Sequence, residues 1–200
     1  SFYENQAIFP DYLEDAIVDN YFVVPGQGYS KWGDHEVNHD FDFAMSNGLV
    51  SYQADKHFNL QFGHGKNFIG DGYRSLLLSD NAFNYPFFKI TTDFWKVKYV
   101  NIFSILQDLR PEFELNNTFR KKYSTTHYLS INLTKRWNLG LFETIVWEQS
   151  ESGRGFDINY LNPIIFYRPV EFSLGSASGN ALIGLNTKFK LNNTAHLYGQ

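Results

Sequence analysis

NALIGLNTKFKL, residues 180–191, places Ala181, Ile183, Leu185, Phe189 and Leu191 on one side and Gly184, Asn186, Lys188 and Lys190 on the other. A helix face repeats its apolar residues every three or four positions. A repeat of two describes a strand with one apolar and one polar surface. The same alternation occurs in HYLSINLT, 127–134, where Leu129, Ile131 and Leu133 oppose Tyr128, Ser130, Asn132 and Thr134. It occurs again at 58–62, with Phe58, Leu60 and Phe62 opposite Asn59 and Gln61. Residues 97–106 are apolar on both faces in part and alternate less cleanly.

Outward from these strands, the connections fall into two kinds. Asp55–His57, Trp95–Lys96, Lys135–Trp137 and Asn192–Thr194 are very short, whereas 5–40, 66–86, 108–122 and 150–179 are long. Short and long connections alternate along the chain. Ordinary compact domains rarely carry several loops beyond about 15 residues. Outer-membrane barrels do, with short turns on the periplasmic side and long loops outside. Strands of about 9–12 residues also suit a tilted bilayer crossing. Nine strands are expected, at 1–4, 41–54, 58–65, 87–94, 97–107, 122–134, 138–149, 180–191 and 195–200, the first and last cut off. Bacterial single-chain barrels have an even strand number and no open edge. Residues 1–200 are therefore expected to be one partial barrel domain of a chain that continues on both sides. The expected fold class is all-β, an antiparallel transmembrane β-barrel with long extracellular or plugging loops. The alternative is a soluble β-sandwich with long loops.

Composition agrees with strands. Phe 20, Tyr 13 and Trp 4 make 18% of the chain aromatic, and aromatic and β-branched residues favour sheets. The net charge of −4 carries no basic footprint for nucleic acid. With no cysteine, a disulfide scaffold and a Cys-type zinc site are excluded. No run of eighteen apolar residues is present, so no transmembrane helix is expected, which leaves transmembrane strands open. The start, SFYENQAIFPDYLED, lacks a basic region and an apolar region of a signal peptide. The expectation is that such a peptide has been removed or lies upstream.

The stretch FGHGKNFIGDGYRSLLLSDN, 62–81, imitates a phosphate loop without being one. A P-loop needs G-x-x-x-x-G-K-[ST], but Gly65-Lys66 is followed by Asn67, and Leu60 stands where the first glycine belongs. The dinucleotide spacing fails as well, with Phe68 and Ser75 at the third glycine positions. HEVNH, 35–39, matches a zinc-protease pentapeptide by letter. That chemistry needs a helix to put His35 and His39 one turn apart. Gly33 before it and the alternating FDFAM after it leave little room for one. Solvated loop histidines are favoured, with His35 and His39 kept only as weak metal candidates and a zinc hydrolase as a remote alternative. Glu143, Glu148, Glu151 and Asp157 raise a glycosidase pair, which needs two carboxylates about 5–9 Å apart; charged lumen residues are the favoured reading. Loops 66–86 and 150–179 mix aromatic and planar hydrogen-bonding residues, a combination that suits sugar rings or a barrel filling equally. Candidate glycan-binding residues are Tyr73, Asp157, Tyr160, Asn162, Arg168 and Glu171.

GHGKNFIGDGYRSLLLSDNAFNYPFFKITTDFWKVKYVN, 63–101, resembles the Bacteroidetes branch of the Wzi capsule-assembly outer-membrane family, which includes RemB-like gliding-motility proteins. FYENQAIFPDY at 2–12, VVPGQG at 23–28 and LNPIIFYRPVEF at 161–172 are similar to it too. The resemblance implies a longer closed barrel of about eighteen strands. It also implies a non-enzymatic role at the bacterial outer membrane, in attaching or assembling capsular polysaccharide or in surface gliding. The partners implied are outer-membrane lipids, surface polysaccharide and other surface or motility proteins; no metal or cofactor is implied. A transport pore is the alternative. Within that frame, 66–80 is expected to turn into the lumen as a plug. Lys66, Asn67, Asp71 and Arg74 would form its polar cluster, with Asp71 served by Arg74 or a lumen-facing base and Leu76–Leu78 as its apolar anchor.

Overall fold

The computed structural model describes residues 5–7, 11–19, 22–30, 41–109, 119–148, 158–166 and 179–200. Its main body is one eight-stranded antiparallel sheet. The strands are β5 (Gly48–Asp55), β6 (Phe58–Gly65), β7 (Tyr85–Phe94), β8 (Val97–Asp108), β9 (Arg120–Asn132), β10 (Trp137–Glu148), β11 (Asn180–Lys190) and β12 (His196–Gly199). Each strand pairs with its neighbour in sequence, so the sheet is a plain meander with β5 and β12 at its edges. A two-sheet sandwich is not what these strands form.

In such a meander successive connections lie at opposite ends. The turns 56–57, 95–96, 133–136 and 191–195 therefore share one rim. The Phe94–Val97 hairpin places Trp95 at φ 55°, a left-handed position where glycine is usual. Trp95 stays 84% exposed there, and Lys96 Nζ lies over its ring at 4.8 Å.

Several boundaries differ from the sequence expectation. The single strand expected at 41–54 is two, because 44–47 breaks it. Its first part, β4 (Phe41–Phe43), leaves the sheet to pair with β1 (Asn5–Ala7), and the expected strand 1–4 lies outside the described residues. The long connection 5–40 also contains a helix that strand periodicity did not suggest, α1 (Asp11–Asp19). Leu13, Ala16 and Ile17 recur at helical spacing and are buried. Leu13 and Ile17 pack on Val24 of β2 (Val23–Val24) and on Phe41 and Phe43. β2 forms a small hairpin with β3 (Gly28–Tyr29).

Register converts the alternation into two surfaces. One is apolar: across the sheet it carries Val50, Phe62, Phe88, Phe103, Leu129, Leu141 and Leu185. The other is polar near the short-turn rim, with Ser51, Asn59, Gln61, Lys89, Ser130, Asn138 and Lys188. Farther from that rim the polar surface turns apolar and supports the main core. There Ile69, Leu77 and Leu78 of the β6–β7 connection pack with Tyr85, Phe87, Val100, Ile102 and Phe142. Gly184 makes this docking possible, since a Cβ at that position would overlap the Leu77 side chain.

Phe142 is 2% exposed at the centre of this core, whereas Leu76 is 86% exposed. Phe142→Ala should therefore destabilise the fold by about 3–5 kcal/mol, by lost burial plus an unfilled cavity. Leu76→Ala should stay within about 0.5 kcal/mol. Thermal or chemical unfolding of the two variants checks this; similar losses would mean that Leu76, and not its neighbours alone, is seated in the core.

Candidate functional site

The chain segment that follows β6 folds onto the polar surface, and the site is built there. Residues 67–78 leave β6, cross strands β7 to β11 and return, closed by a backbone bridge in which Ile69 N donates to Leu78 O at 2.9 Å. At its start Asn67 is buried; its backbone N donates to Tyr85 Oη at 3.2 Å, and its Oδ1 accepts from Lys89 Nζ at 3.2 Å. At its middle, Asp71 reaches β11. Its carboxylate accepts from Asn186 Nδ2 at 2.7 Å and from Lys188 Nζ at 2.8 Å. Asn186 Nδ2 also donates to Tyr128 Oη at 3.0 Å. Gly140 leaves the room that the Tyr128 ring fills, because any Cβ there would strike it.

Between this segment and the short-turn rim lies an open cavity of about 640 Å³. Its floor holds Thr91, Val100, Ile102, Ser130, Asn132 and Asn138. Two amides and a hydroxyl form a ladder on it: Asn138 Nδ2 donates to Ser130 Oγ at 2.8 Å and to Asn132 Oδ1 at 2.9 Å. Among the described residues its charged groups are Lys89, Lys98, Lys135, Arg136, Lys188 and Lys190, with Asp71 as the one carboxylate.

The opposite, apolar surface is covered over β8 to β10 by the segment 158–166, which begins with a short 3-10 turn at Ile158–Leu161. Tyr160 stacks on Trp147 at 4.1 Å. Thr125 Oγ1 donates to Tyr160 O at 2.9 Å, Tyr99 Oη donates to Pro163 O, and Phe166 N donates to Glu143 Oε2 at 2.6 Å. Beneath it Asn101, Thr125, His127 and Glu143 are buried. Alternation had marked this surface apolar, and no periodic signal separates these four residues from their neighbours.

The residues singled out from sequence are thus distributed unevenly. Asn67 and Asp71 face the sheet and are bonded to it, while Lys66 and Arg74 are exposed. Asp71 is served by Lys188, a base of the sheet, and not by Arg74. Of the three leucines only Leu77 and Leu78 pack; Leu76 points outward because a bridged turn cannot bury three consecutive side chains on one side. The candidate glycan residues are not assembled into one site. Tyr73 is 91% exposed beside Asp71, whereas Tyr160 is buried on the other surface with its ring face taken by Trp147. Asn162 caps its own loop, its Oδ1 accepting from Ile164 N at 3.0 Å. Asp157, Arg168, Glu171 and the weak metal candidates His35 and His39 lie outside the described residues. Glu143 and Glu148 differ by an odd number of positions on β10 and project from opposite faces, so they form no glycosidase pair; Glu151 also lies outside the described residues. Among the described residues, no three His, Cys, Asp or Glu side chains gather as a metal site. Lys89, Lys98 and Lys190 were missed because their convergence depends on register between strands far apart in sequence.

Compared with known proteins, the chain matches no family model, no curated sequence and no solved structure.

Asp71→Ala removes the acceptor shared by Lys188 and Asn186, and should loosen the 67–78 segment by about 1–3 kcal/mol, the usual range for bonds to a charged group. Faster proteolytic cleavage within 67–78 should follow. Arg74→Ala should leave the cleavage rate unchanged. An Arg74 variant as labile as the Asp71 variant would show that the segment is held by a different set of contacts.

Proposed function

We propose that the eight strands are part of the wall of an outer-membrane β-barrel that acts without catalysis, retaining surface polysaccharide or serving surface motility. The observation that carries this reading is the exposed apolar surface of the sheet. Val50 (71%), Tyr52 (63%), Phe62 (64%), Phe94 (64%), Ile183 (65%), Leu185 (51%) and Leu197 (59%) all project from it into open space. Exposed apolar area of this extent on both flanks of one sheet face is uncommon on a protein surrounded by water and fits contact with lipid.

Two further features support it. Phe58, Phe94, Trp95, Trp137 and Phe189 stand beside the short turns, each more than 40% exposed. Aromatic residues in such a ring fit the interfacial girdle of a barrel. The four short turns share one rim, as periplasmic turns do. On this reading the polar surface lines the lumen, and edges β5 and β12 pair with further strands of a larger barrel. The segment 67–78 crosses five neighbouring strands inside it, which speaks for a plugged barrel over an open pore. The polysaccharide or motility role follows from the family resemblance of 63–101 and remains separable from the barrel itself.

Fractionation of the native host checks the wall. The protein should sediment with outer membranes, resist carbonate washing, and show quenching of its tryptophan fluorescence by brominated lipid at the bilayer interface. Recovery in the soluble fraction would overturn the barrel. Ile183→Arg should cost about 2–4 kcal/mol if the residue faces the bilayer interior, while Asn132→Arg, on the lumen side, should be close to neutral. For the role, deletion of the gene should reduce cell-bound polysaccharide or gliding; a strain unchanged in both would remove that half of the proposal.

A further inference from the structure

We infer that the cavity at the short-turn end of the polar surface is a binding site for an acidic oligosaccharide, one whose sugars carry carboxylates. The inference deepens the polysaccharide half of the proposed function by naming a ligand class and a place, but it does not depend on membrane insertion.

Charge is the first argument. The chain as a whole is acidic, with a net charge of −4, yet among the described residues this cavity gathers six basic side chains around one carboxylate. That carboxylate, Asp71, is engaged by Lys188. Lys98 has only a loose pair with Asp93 at 4.0 Å, both side chains being more than half exposed, which holds it weakly. Lys89, Lys135, Arg136 and Lys190 have no carboxylate within 4.0 Å among the described residues. Lys89 is also half-buried, with its ammonium compensated by only the Asn67 amide oxygen and the Phe87 ring face. A concave surface of one sign concentrates its field on an incoming ion of the other.

Extent is the second argument. Lys89 is on β7, Lys98 on β8, and Lys188 and Lys190 on β11. At about 4.8 Å between neighbouring strands, β7 and β11 are roughly 19 Å apart. A single phosphate or carboxylate touches one end of such a row, whereas a chain of linked acidic units reaches along it. The third argument is what lies between the cations: the Ser130–Asn138–Asn132 ladder, Thr91, and the apolar side chains Val100 and Ile102. Amides and hydroxyls suit sugar hydroxyls, and apolar side chains suit the C–H faces of the rings. A polyphosphate has no use for the apolar part.

Calorimetric titration of the full chain tests the assignment, with trigalacturonate as probe and maltotriose, inorganic phosphate and tripolyphosphate as comparisons. Trigalacturonate should bind and maltotriose should not, and its affinity should fall steeply as salt rises to about 0.5 M. Lys89→Gln with Lys190→Gln should weaken binding about tenfold or more. Lys56→Gln, at an exposed turn outside the cavity, should leave it unchanged. The melting temperature of each variant reports whether a loss of binding is merely a loss of fold; the charge reversal Lys190→Glu, on a partly exposed strand end, gives a second variant. Equal binding of maltotriose, binding of phosphate or tripolyphosphate as tight as that of trigalacturonate, absence of trigalacturonate binding, or indifference to all the cavity variants would overturn it. Failure of the membrane fractionation would leave these outcomes as they stand, so the two readings fail separately.

Discussion

A sheet has two surfaces, and the sequence of each strand decides both at once. With side chains alternating along eight consecutively paired strands, neither surface can be changed without a change in register. This constraint governs everything else in the molecule. The polar surface cannot fold back on itself to form a dry core, so a separate segment supplies apolar cover for its long-loop half. The apolar surface cannot be left in water over its full area, so it requires either lipid, a partner or another segment of the chain.

On the polar surface the docking of 67–78 divides the work. Ile69, Leu77 and Leu78 provide burial against Phe142 and Ile102. Asp71 provides register, because Asn186 and Lys188 lie two positions apart on one strand face and converge on a single carboxylate. An apolar contact alone would permit sliding; a charge-assisted pair on fixed strand positions does not. The segment also forms one wall of the basic cavity, so the contact that holds the fold defines the limit of the site.

How much of this was legible in the sequence follows from how local each signal is. Alternation is local, and it identified the strands, the two surfaces and the placement of Asn186 and Lys188. Short turns are local too, and Trp95–Lys96 was found despite lacking a glycine. The break at 44–47 shows only as a change of phase, since the apolar positions are odd at Phe41 and Phe43 and even at Val50 and Tyr52, which one unbroken strand would set on opposite faces. The helix α1 was hidden inside a segment read as one long loop, although Leu13, Ala16 and Ile17 carry its spacing. Partners across the sheet were the least legible. For Asp71 the sequence offers Arg74, three residues away, or an unspecified base of the polar surface; the base is Lys188, 117 residues away, and nothing local singles it out. The basic cavity depends on contributions from β7 to β11 and has no signature in any one of them.

The apolar surface carries an exception that explains the last covering segment. Its two rows nearest the short turns contain Val97, Ile131 and Leu139, then Leu129, Leu141 and Leu185. The third row sets Asn101 beside His127 and His127 beside Glu143. Three polar side chains facing hydrocarbon without partners would be strongly unfavourable. The segment 158–166 meets that need for two of the three: Phe166 N reaches Glu143, and Pro163 O receives Tyr99, whose hydroxyl also meets His127 Nδ1 at 3.1 Å, while the buried Asn101 Oδ1 has no partner among the described residues. Glu143 is consequently 2% exposed while its cross-strand partner Ile183, just beyond the segment, is 65% exposed. The apolar surface is therefore divided. Its centre over β8 to β10 is covered by protein where the strands turn polar, and the rows beside the short turns, together with the flanks β5–β7 and β11–β12, stay exposed. The polar row beneath the segment is the reason the segment is there, whatever covers the rest of this surface.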